Sequence, residues 1–353
     1  MDRIDRPFTY PARAADPRAS AAEAWQMLSG FIQAAQMIPQ RQRAADGSLP
    51  LTVIGGFLGA GKTTLLNRLL SGSHGVRIAV LVNDFGRINI DAALVRSRTG
   101  DTISLTNGCA CCSVAGDLTR ALIDLAARED PPEAIVLEAS GLADPLGIVQ
   151  IALANPALRL DGVLAVIDAE TMSARASDQA SSATFLAQIV AADLVVLNKL
   201  DLLDEIGRRA ARAWLEAYAP GKPIVNAVRA EVPAEVVLGI HSVCDLRQRS
   251  ALSPDHAASF RSWSASADTL LDGGQMRSMM CGLPAGILRA KGILWLSDDS
   301  AHRTVYQRVG HRSSYVAESW SDETPCSSLV VIGPADAINP HGLSRQFDAC
   351  RAG

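Results

Sequence analysis

The chain has 353 residues, a formal net charge of −4 and seven cysteines. This length exceeds one typical core and predicts two domains. The slightly acidic balance argues against nucleic acid or an anionic membrane surface as a partner. No apolar run approaches the roughly 20 residues of a membrane-spanning helix. Three of the cysteines lie in one tetrapeptide, which argues against a disulfide framework and predicts a reducing, cytoplasmic setting.

The N-terminal extension comprises residues 1–50. Its first part, 1–18, is rich in Pro, Arg, Asp and Ala and has no apolar core segment, so we expect neither a secretory signal nor stable structure there. Ser20 and Glu23 then form a capping-box pattern. Apolar residues recur at helical spacing after it, which predicts one amphipathic helix over 21–37 that packs on the next domain or binds a partner.

The first chemical motif is a glycine-rich turn between an apolar run and a leucine-rich helix. Its sequence GFLGAGKT fits the phosphate-loop pattern, although a tight turn used only for packing is the alternative. Glycines let successive backbone N–H groups form an anion nest, and the helix adds its positive dipole end. Lys62 is expected to reach the β- and γ-phosphates, and Thr63 to ligate Mg²⁺. The predicted nucleotide-binding residues here are Gly56, Gly59, Ala60, Gly61, Lys62, Thr63 and Thr64.

Continuous apolar strands alternate with helical segments over residues 51–230. This pattern predicts an α/β phosphate-loop NTPase domain with a mostly parallel sheet covered by helices. Polar tetrapeptides follow several of the strands, where ligands bind in open α/β sheets. The predicted strands are 51–54, 77–82, 103–105, 134–137, 162–167, 194–197 and 224–225, and the predicted helices are 115–128, 183–192 and 206–218.

The sequence changes character near residue 230. Residues 231–258 carry Pro, Ser, Asp and scattered charge, which predicts a linker. Short β-like runs and two helices follow, and they predict a smaller α+β domain with an antiparallel sheet over 259–353. The strands are predicted at 260–264, 292–297, 304–309, 315–320 and 329–332, and the helices at 274–281 and 341–350.

The sequence NKLD follows the predicted strand 194–197 and matches the Asn-Lys-x-Asp pattern of guanine recognition. The Asp201 carboxylate can accept hydrogen bonds from N1–H and the exocyclic amine of guanine, and a site built for that edge rejects adenine. Asn198 is expected to brace the phosphate loop, and the Lys199 stem to lie over the base. Two alternatives remain open: Asp201 is a helix N-cap, or the protein is a small-molecule kinase that prefers ATP.

A carboxylate and a glycine follow the predicted strand 134–137. Glu138 stands where a Walker-type acid belongs, and we expect it to hold Mg²⁺ through water or to orient the attacking water. The alternative is a solvent-exposed carboxylate. The Gly141 N–H is expected to contact the γ-phosphate. With Lys62 and Asp84, which follows another strand, Glu138 completes the predicted catalytic set.

The cysteine motif CACC lies between a predicted strand and a predicted helix. Cys109, Cys111 and Cys112 are candidate ligands, since thiolates bind Zn²⁺ and Cu(I) well. Zinc prefers four ligands, so a further one must come from elsewhere or from water. Buried structural thiols or a redox pair are the alternatives. The six histidines are scattered without ligand spacing, and the other four cysteines are interpreted as ordinary thiols.

Together and in this order, the motifs resemble the CobW-type GTPases, which are metal-handling relatives of the nickel-insertion GTPases. The resemblance covers about residues 51–350 and includes GGFLGAGKTTLL, NDFG, NGCACC, EASGLADP, NKLD and the C-terminal ILRAKGILWL. It implies slow GTP hydrolysis and a transition metal, zinc or cobalt, at the cysteine motif. The metal would pass to a client metalloprotein or cofactor-synthesis enzyme under nucleotide control. The alternative is a nucleotide-gated protein-docking module with a degenerate metal site.

The chain departs from this family next to the second strand. Many relatives read Glu-Asn-Glu-Phe-Gly-Glu there, and the flanking glutamates help to bind metal. This chain has Val82 and Arg87 at those two positions and Asp84 as the middle acid. The missing carboxylates argue against tight binding of the usual metal. The histidine-rich tract of many relatives is also absent, so metal storage is not expected.

Overall fold

The computed structural model describes residues of the unit Ala44–Gly353. The predicted N-terminal helix, the cysteine motif and most of the predicted helix 115–128 lie outside the described residues. The structure describes residues 48–72, 74, 76–84, 102–106, 122, 125, 131–139, 141, 149–150, 154–155, 157–239, 260–320 and 324–351. None of the helices in this part of the chain is long and apolar enough to cross a membrane.

Seven of the described strands form a parallel sheet in the order β3-β2-β4-β1-β5-β6-β7. The strands are β1 (Leu49–Gly55), β2 (Ile78–Asp84), β3 (Thr102–Thr106), β4 (Ala134–Glu138), β5 (Leu158–Asp168), β6 (Leu194–Asn198) and β7 (Ile224–Asn226). Every residue of β1, β4 and β6 is buried, as a sheet covered on both faces requires. The predicted α/β phosphate-loop fold is therefore confirmed.

Five helices of the described chain accompany this sheet. They are α1 (Lys62–Ser71), α2 (Met172–Ser177), α3 (Ser182–Ala191), α4 (Glu205–Tyr218) and α5 (Ala234–Leu238). Helix α4 begins after Asp204, whose side chain accepts a hydrogen bond from the Gly207 N–H, as an N-cap does. Leu122 and Leu125, from the predicted helix 115–128, are fully buried in the core on one face of the sheet.

The second sheet is antiparallel, with the order β11-β10-β9-β12-β8. It contains β8 (Phe260–Ala267), β9 (Arg289–Leu296), β10 (Asp299–Val309), β11 (Arg312–Ser319) and β12 (Ser327–Pro334), accompanied by α6 (Gly273–Cys281) and α7 (Pro340–Ala349). Side chains from both helices share one apolar core with one face of the sheet. The predicted smaller α+β domain with an antiparallel sheet is thus confirmed.

The two sheets also share a core cluster, which contains Leu164 of β5, Val236 of α5 and Ile332 of β12. The sequence predicts a linker from residue 231, whereas α5 is buried and accepts hydrogen bonds from both sheets. Thr52 of β1 donates to the Val237 carbonyl, and so does Arg289 of β9. Composition alone suggested a linker because α5 is too short to show helical periodicity.

Strand β5 begins at Leu158, four residues before its predicted start at residue 162. The polar residues Arg159 and Asp161 interrupt the apolar pattern there. They are tolerated because this end of the strand faces the second sheet, where Asp161 forms an ion pair with Arg289.

Candidate nucleotide site

The phosphate loop has a backbone that only glycine accommodates at two positions. Gly56 has φ of 136°, and a Cβ there would collide with the Val166 carbonyl oxygen of β5. Gly61 has φ of 107°, and a Cβ there would collide with the Asn198 amide nitrogen. Both values lie in the left-handed region, which strains residues with a Cβ. The glycine spacing of the motif is therefore imposed by the strands beside the loop.

Lys62 opens helix α1 directly after this loop. Its side chain is 6% exposed, and its Nζ donates hydrogen bonds to the carbonyls of Gly56 at 2.9 Å and Phe57 at 3.3 Å. The ammonium group therefore lies over the loop itself. A positive charge at a helix N-terminus beside a glycine-rich turn is suited to binding phosphate.

Two side-chain oxygen atoms that could bind a metal ion lie close together beside the loop. Thr63 Oγ1 lies 3.4 Å from Oε1 of Glu138, which ends β4. Glu138 is 2% exposed, which excludes the solvent-exposed alternative. Asp84 is the last residue of β2, the strand that pairs with β4, so it ends at the same sheet edge. A hydroxyl and a carboxylate form the hard oxygen set that Mg²⁺ prefers.

Asn198 joins the guanine motif to the phosphate loop. It is 2% exposed; its Nδ2 donates to the Ala60 carbonyl at 2.8 Å, and its Oδ1 accepts from the Ala230 N–H at 2.7 Å. One side chain therefore connects the loop after β1, the end of β6 and the turn after β7. The turn containing Arg229 and Ala230 was not predicted as part of the site, and both residues have positive φ.

Lys199 has φ of 63°, and its side chain is held by a carboxylate from the neighbouring strand. Its Nζ lies 2.7 Å from Oδ2 of Asp168, which pairs with Asn198 at the ends of β5 and β6. The other Asp168 oxygen accepts from the Glu170 N–H. Sequence reasoning ended a strand at Asp168 without assigning it a role. Its place at the end of an apolar strand, like that of Glu138, is the signal that could have identified it.

Asp201 lies in the 3₁₀ turn Leu200–Leu202 and is exposed to solvent. The N-cap of helix α4 is Asp204, so the helix-cap alternative for Asp201 is wrong. An exposed carboxylate next to the Asn198 brace is available to a ligand.

Gly141 packs against Leu58 of the phosphate loop. A Cβ on Gly141 would lie 2.8 Å from the Leu58 backbone nitrogen, so this close approach requires glycine. Its carbonyl accepts a hydrogen bond from Gln188 of helix α3 at 3.0 Å. Gln188 was not predicted, because a single glutamine on an apolar helix carries no motif.

The predicted transition-metal ligands Cys109, Cys111 and Cys112 lie outside the described residues. Within the described part of the chain, no group of three His, Cys, Asp or Glu side chains is arranged to hold a metal ion. Among the described residues, Cys281, Cys326 and Cys350 are not joined by disulfides.

Two family models match the chain, and they follow the two sheets. The model described as CobW/HypB/UreG, nucleotide-binding domain, matches residues 50–226. The model described as cobalamin synthesis protein cobW C-terminal domain matches residues 260–351. The chain belongs to the CobW family. The predicted resemblance is therefore confirmed.

Members of the CobW family with similar sequences come from several bacteria. A zinc chaperone CobW from Sinorhizobium sp is 33% identical over 338 residues, covering 83% of this chain and 95% of that protein. Zinc chaperone YjiA of Escherichia coli (strain K12) is 32% identical, and the match covers 81% of this chain and 94% of that protein. The chain in a crystal structure of Zn(II)-bound YjiA GTPase from E. coli is 25% identical; the match covers 86% of this chain and 99% of that chain, with a TM-score of 0.35.

Proposed function

We propose that this CobW-family chain binds GTP with Mg²⁺, hydrolyses it slowly, and uses the nucleotide state to bind and deliver a transition metal. Zinc or cobalt is the proposed cargo, and a metalloprotein or cofactor-synthesis enzyme is the proposed client. The similar proteins named zinc chaperones support zinc as the first candidate. A cytoplasmic setting fits the thiols of Cys281 and Cys350, which are not in disulfides.

The observation that carries the nucleotide proposal is the Asn198 brace. Its two hydrogen bonds, to the Ala60 carbonyl and from the Ala230 N–H, hold NKLD beside the phosphate loop and so support one shared site. The guanine base would meet the Asp201 carboxylate while the phosphates lie in the loop around Lys62. In this proposal the exposed Asp201 recognises the base, and the buried Asn198 holds the phosphate loop in position.

The oxygen pair beside the loop supports the Mg²⁺ assignment. Thr63 and Glu138 would hold the ion directly or through water, and Mg²⁺ would supply charge neutralisation at the terminal phosphates. Burial of Glu138 keeps its carboxylate in a low dielectric, where its interaction with a cation is strong. We propose that Glu138 and Asp84 orient the attacking water and that Lys62 stabilises charge on the phosphates.

The nucleotide proposal is tested with Asp201→Asn. The change replaces one acceptor with an amide donor, which pairs with xanthine and not with guanine. We expect GDP affinity, measured by calorimetry, to fall at least about 100-fold and xanthosine diphosphate to bind instead. Asp204→Asn, three residues away in the α4 cap, is the matched control and should leave GDP affinity unchanged. Equal binding of ADP and GDP by the wild-type chain would contradict the proposal.

The cargo proposal needs a metal measurement. Zn²⁺ is titrated into the wild-type chain, into a Cys111→Ala, Cys112→Ala variant and into Cys281→Ala, each with GDP and with a non-hydrolysable GTP analogue. We expect stoichiometric zinc in the wild type and in Cys281→Ala, loss in the double variant, and different affinities in the two nucleotide states. Zinc retained by the double variant contradicts this cargo site. No zinc in the wild type favours the docking module instead.

A further inference from the structure

Gln188 is a polar side chain on the buried side of helix α3. The helix also buries Phe185 and Ile189, and Gln188 itself is 1% exposed. Burying an amide is unfavourable unless its hydrogen-bonding groups are satisfied. A residue of this kind therefore indicates a specific contact that an apolar side chain could not make.

That contact is the Gly141 carbonyl, which accepts from Gln188 Nε2 at 3.0 Å across 47 residues of sequence. Gly141 follows Glu138 by three residues and lies against the backbone of Leu58 in the phosphate loop. It is thus held between two elements: the phosphate loop on one side and the α3 amide on the other. A hydrogen bond to this carbonyl restrains rotation about the Cα–C bond of Gly141 and so limits the movement of its backbone.

Helix α3 is a firm support for this contact. The Lys222 ammonium donates to three carbonyls at the C-terminal end of the helix, those of Ile189, Val190 and Ala192. A cation at this end satisfies carbonyls left over by the helix and complements its dipole. The chain then enters β6, which delivers Asn198 to the base side of the site. The element that holds Gly141 is therefore continuous with the guanine motif.

We propose that Gln188 is a positioning residue that holds Gly141 where it can contact the terminal phosphate of GTP. The inference rests on the proposed GTP function, in which Gly141 contacts the γ-phosphate. Loss of the Gln188 amide frees the Gly141 backbone, which glycine's wide conformational range then allows to move. GDP has no γ-phosphate, so its binding does not depend on this contact. The signature of Gln188 is therefore a change in the preference between GTP and GDP.

The test uses Gln188→Met, which keeps the side-chain length and removes the donor, in the full chain. Ile189→Ala is the matched control, since Ile189 is equally buried on the same helix and its hydrocarbon side chain cannot donate a hydrogen bond to Gly141. We expect Gln188→Met to weaken binding of a non-hydrolysable GTP analogue about fivefold relative to GDP and to lower kcat for GTP about tenfold, as loss of one hydrogen bond predicts. Ile189→Ala should leave both ratios unchanged.

A second variant covers the case in which Gln188→Met does not fold. Gln188→Asn keeps the amide and shortens its reach by one methylene, so it should change the GTP-to-GDP ratio in the same direction. Unchanged ratios in a folded variant overturn the inference, and so does a parallel loss of GTP and GDP affinity like that of a general packing defect. A wild-type chain that binds no guanine nucleotide overturns the proposed function itself.

Discussion

The nucleotide edge of the parallel sheet and the junction between the two sheets are both assembled from buried polar groups, but by different means. At the nucleotide edge, short motifs contiguous in sequence place Lys62 and Asn198 against backbone carbonyls of the phosphate loop. At the junction, Arg289 of β9 forms an ion pair with Asp161 of β5 and donates to the Val236 and Val237 carbonyls. In the first region side chains bind backbone carbonyls of a glycine-rich loop, whereas the second region adds an ion pair between two buried side chains.

The contrast teaches that the two regions should fail differently. The loop depends on backbone conformations that only glycine adopts, so damage there should remove binding and leave the fold. The junction depends on a charge pair whose members are both buried. Arg312 forms a second, only partly buried pair with Asp193 at 2.8 Å. Removing one partner leaves an uncompensated buried charge, so damage there should remove stability and leave binding.

The largest expected effect on nucleotide binding is that of Gly61→Ala. The new Cβ meets the Asn198 amide, and φ of 107° is strained for alanine. We expect calorimetry to show GDP affinity reduced at least about 100-fold, because loop and brace are displaced together.

Gly59→Ala is the matched control for this prediction. Gly59 has φ of 78°, but a Cβ there has no neighbour within 4 Å, so only backbone strain remains. Its loss of affinity should be about tenfold or less. Equal losses in the two variants would show that the Asn198 contact does not matter.

The next effect is that of Arg289→Met on stability. It leaves Asp161 buried without its ion pair, and we expect urea unfolding to show a loss of about 3–5 kcal/mol. GDP affinity of the folded variant should stay within about twofold of the wild-type value. Arg277→Met, which breaks the exposed pair with Asp298, should cost at most about 1 kcal/mol. A junction variant as mild as this control would contradict the comparison.

The smallest effect concerns pH and comes from Lys222, whose ammonium group lies at the C-terminal end of helix α3. Burial lowers the pKa of Lys222 to about 8 from 10.5, and Asp193 opposes the shift. The unfolded chain therefore binds more protons between pH 8 and 10.5, so the free energy of unfolding should rise with pH there. We expect a rise on the order of 2 kcal/mol.

Two variants isolate this contribution in unfolding experiments across that pH range. Lys222→Met and Lys222→Arg cannot titrate there, so each should show a smaller rise than the wild-type chain. Burial also lowers the pKa of Lys291 to about 8, and this residue gives the rise that remains. Lys222→Arg also keeps donors for the carbonyls of Ile189, Val190 and Ala192. The same slope in all three proteins would show that Lys222 is not responsible.

The sequence by itself determined the α/β architecture, the order of the motifs and their position at strand ends. These features are readable because each depends on residues close together in the chain: a glycine-rich turn between strand and helix, or a tetrapeptide after a buried strand. Even the departures from the family pattern at Val82 and Arg87 are visible in the sequence alone.

Only the tertiary structure decided which side chains hold those motifs in place. Asp168 forms an ion pair with Lys199, Gln188 donates a hydrogen bond to Gly141, and Arg289 donates one to α5 across the junction. None of these contacts has a local signature, since each joins residues at least thirty positions apart. Such pairs form because burial makes an unsatisfied polar group costly, and only the folded chain shows which groups become buried together.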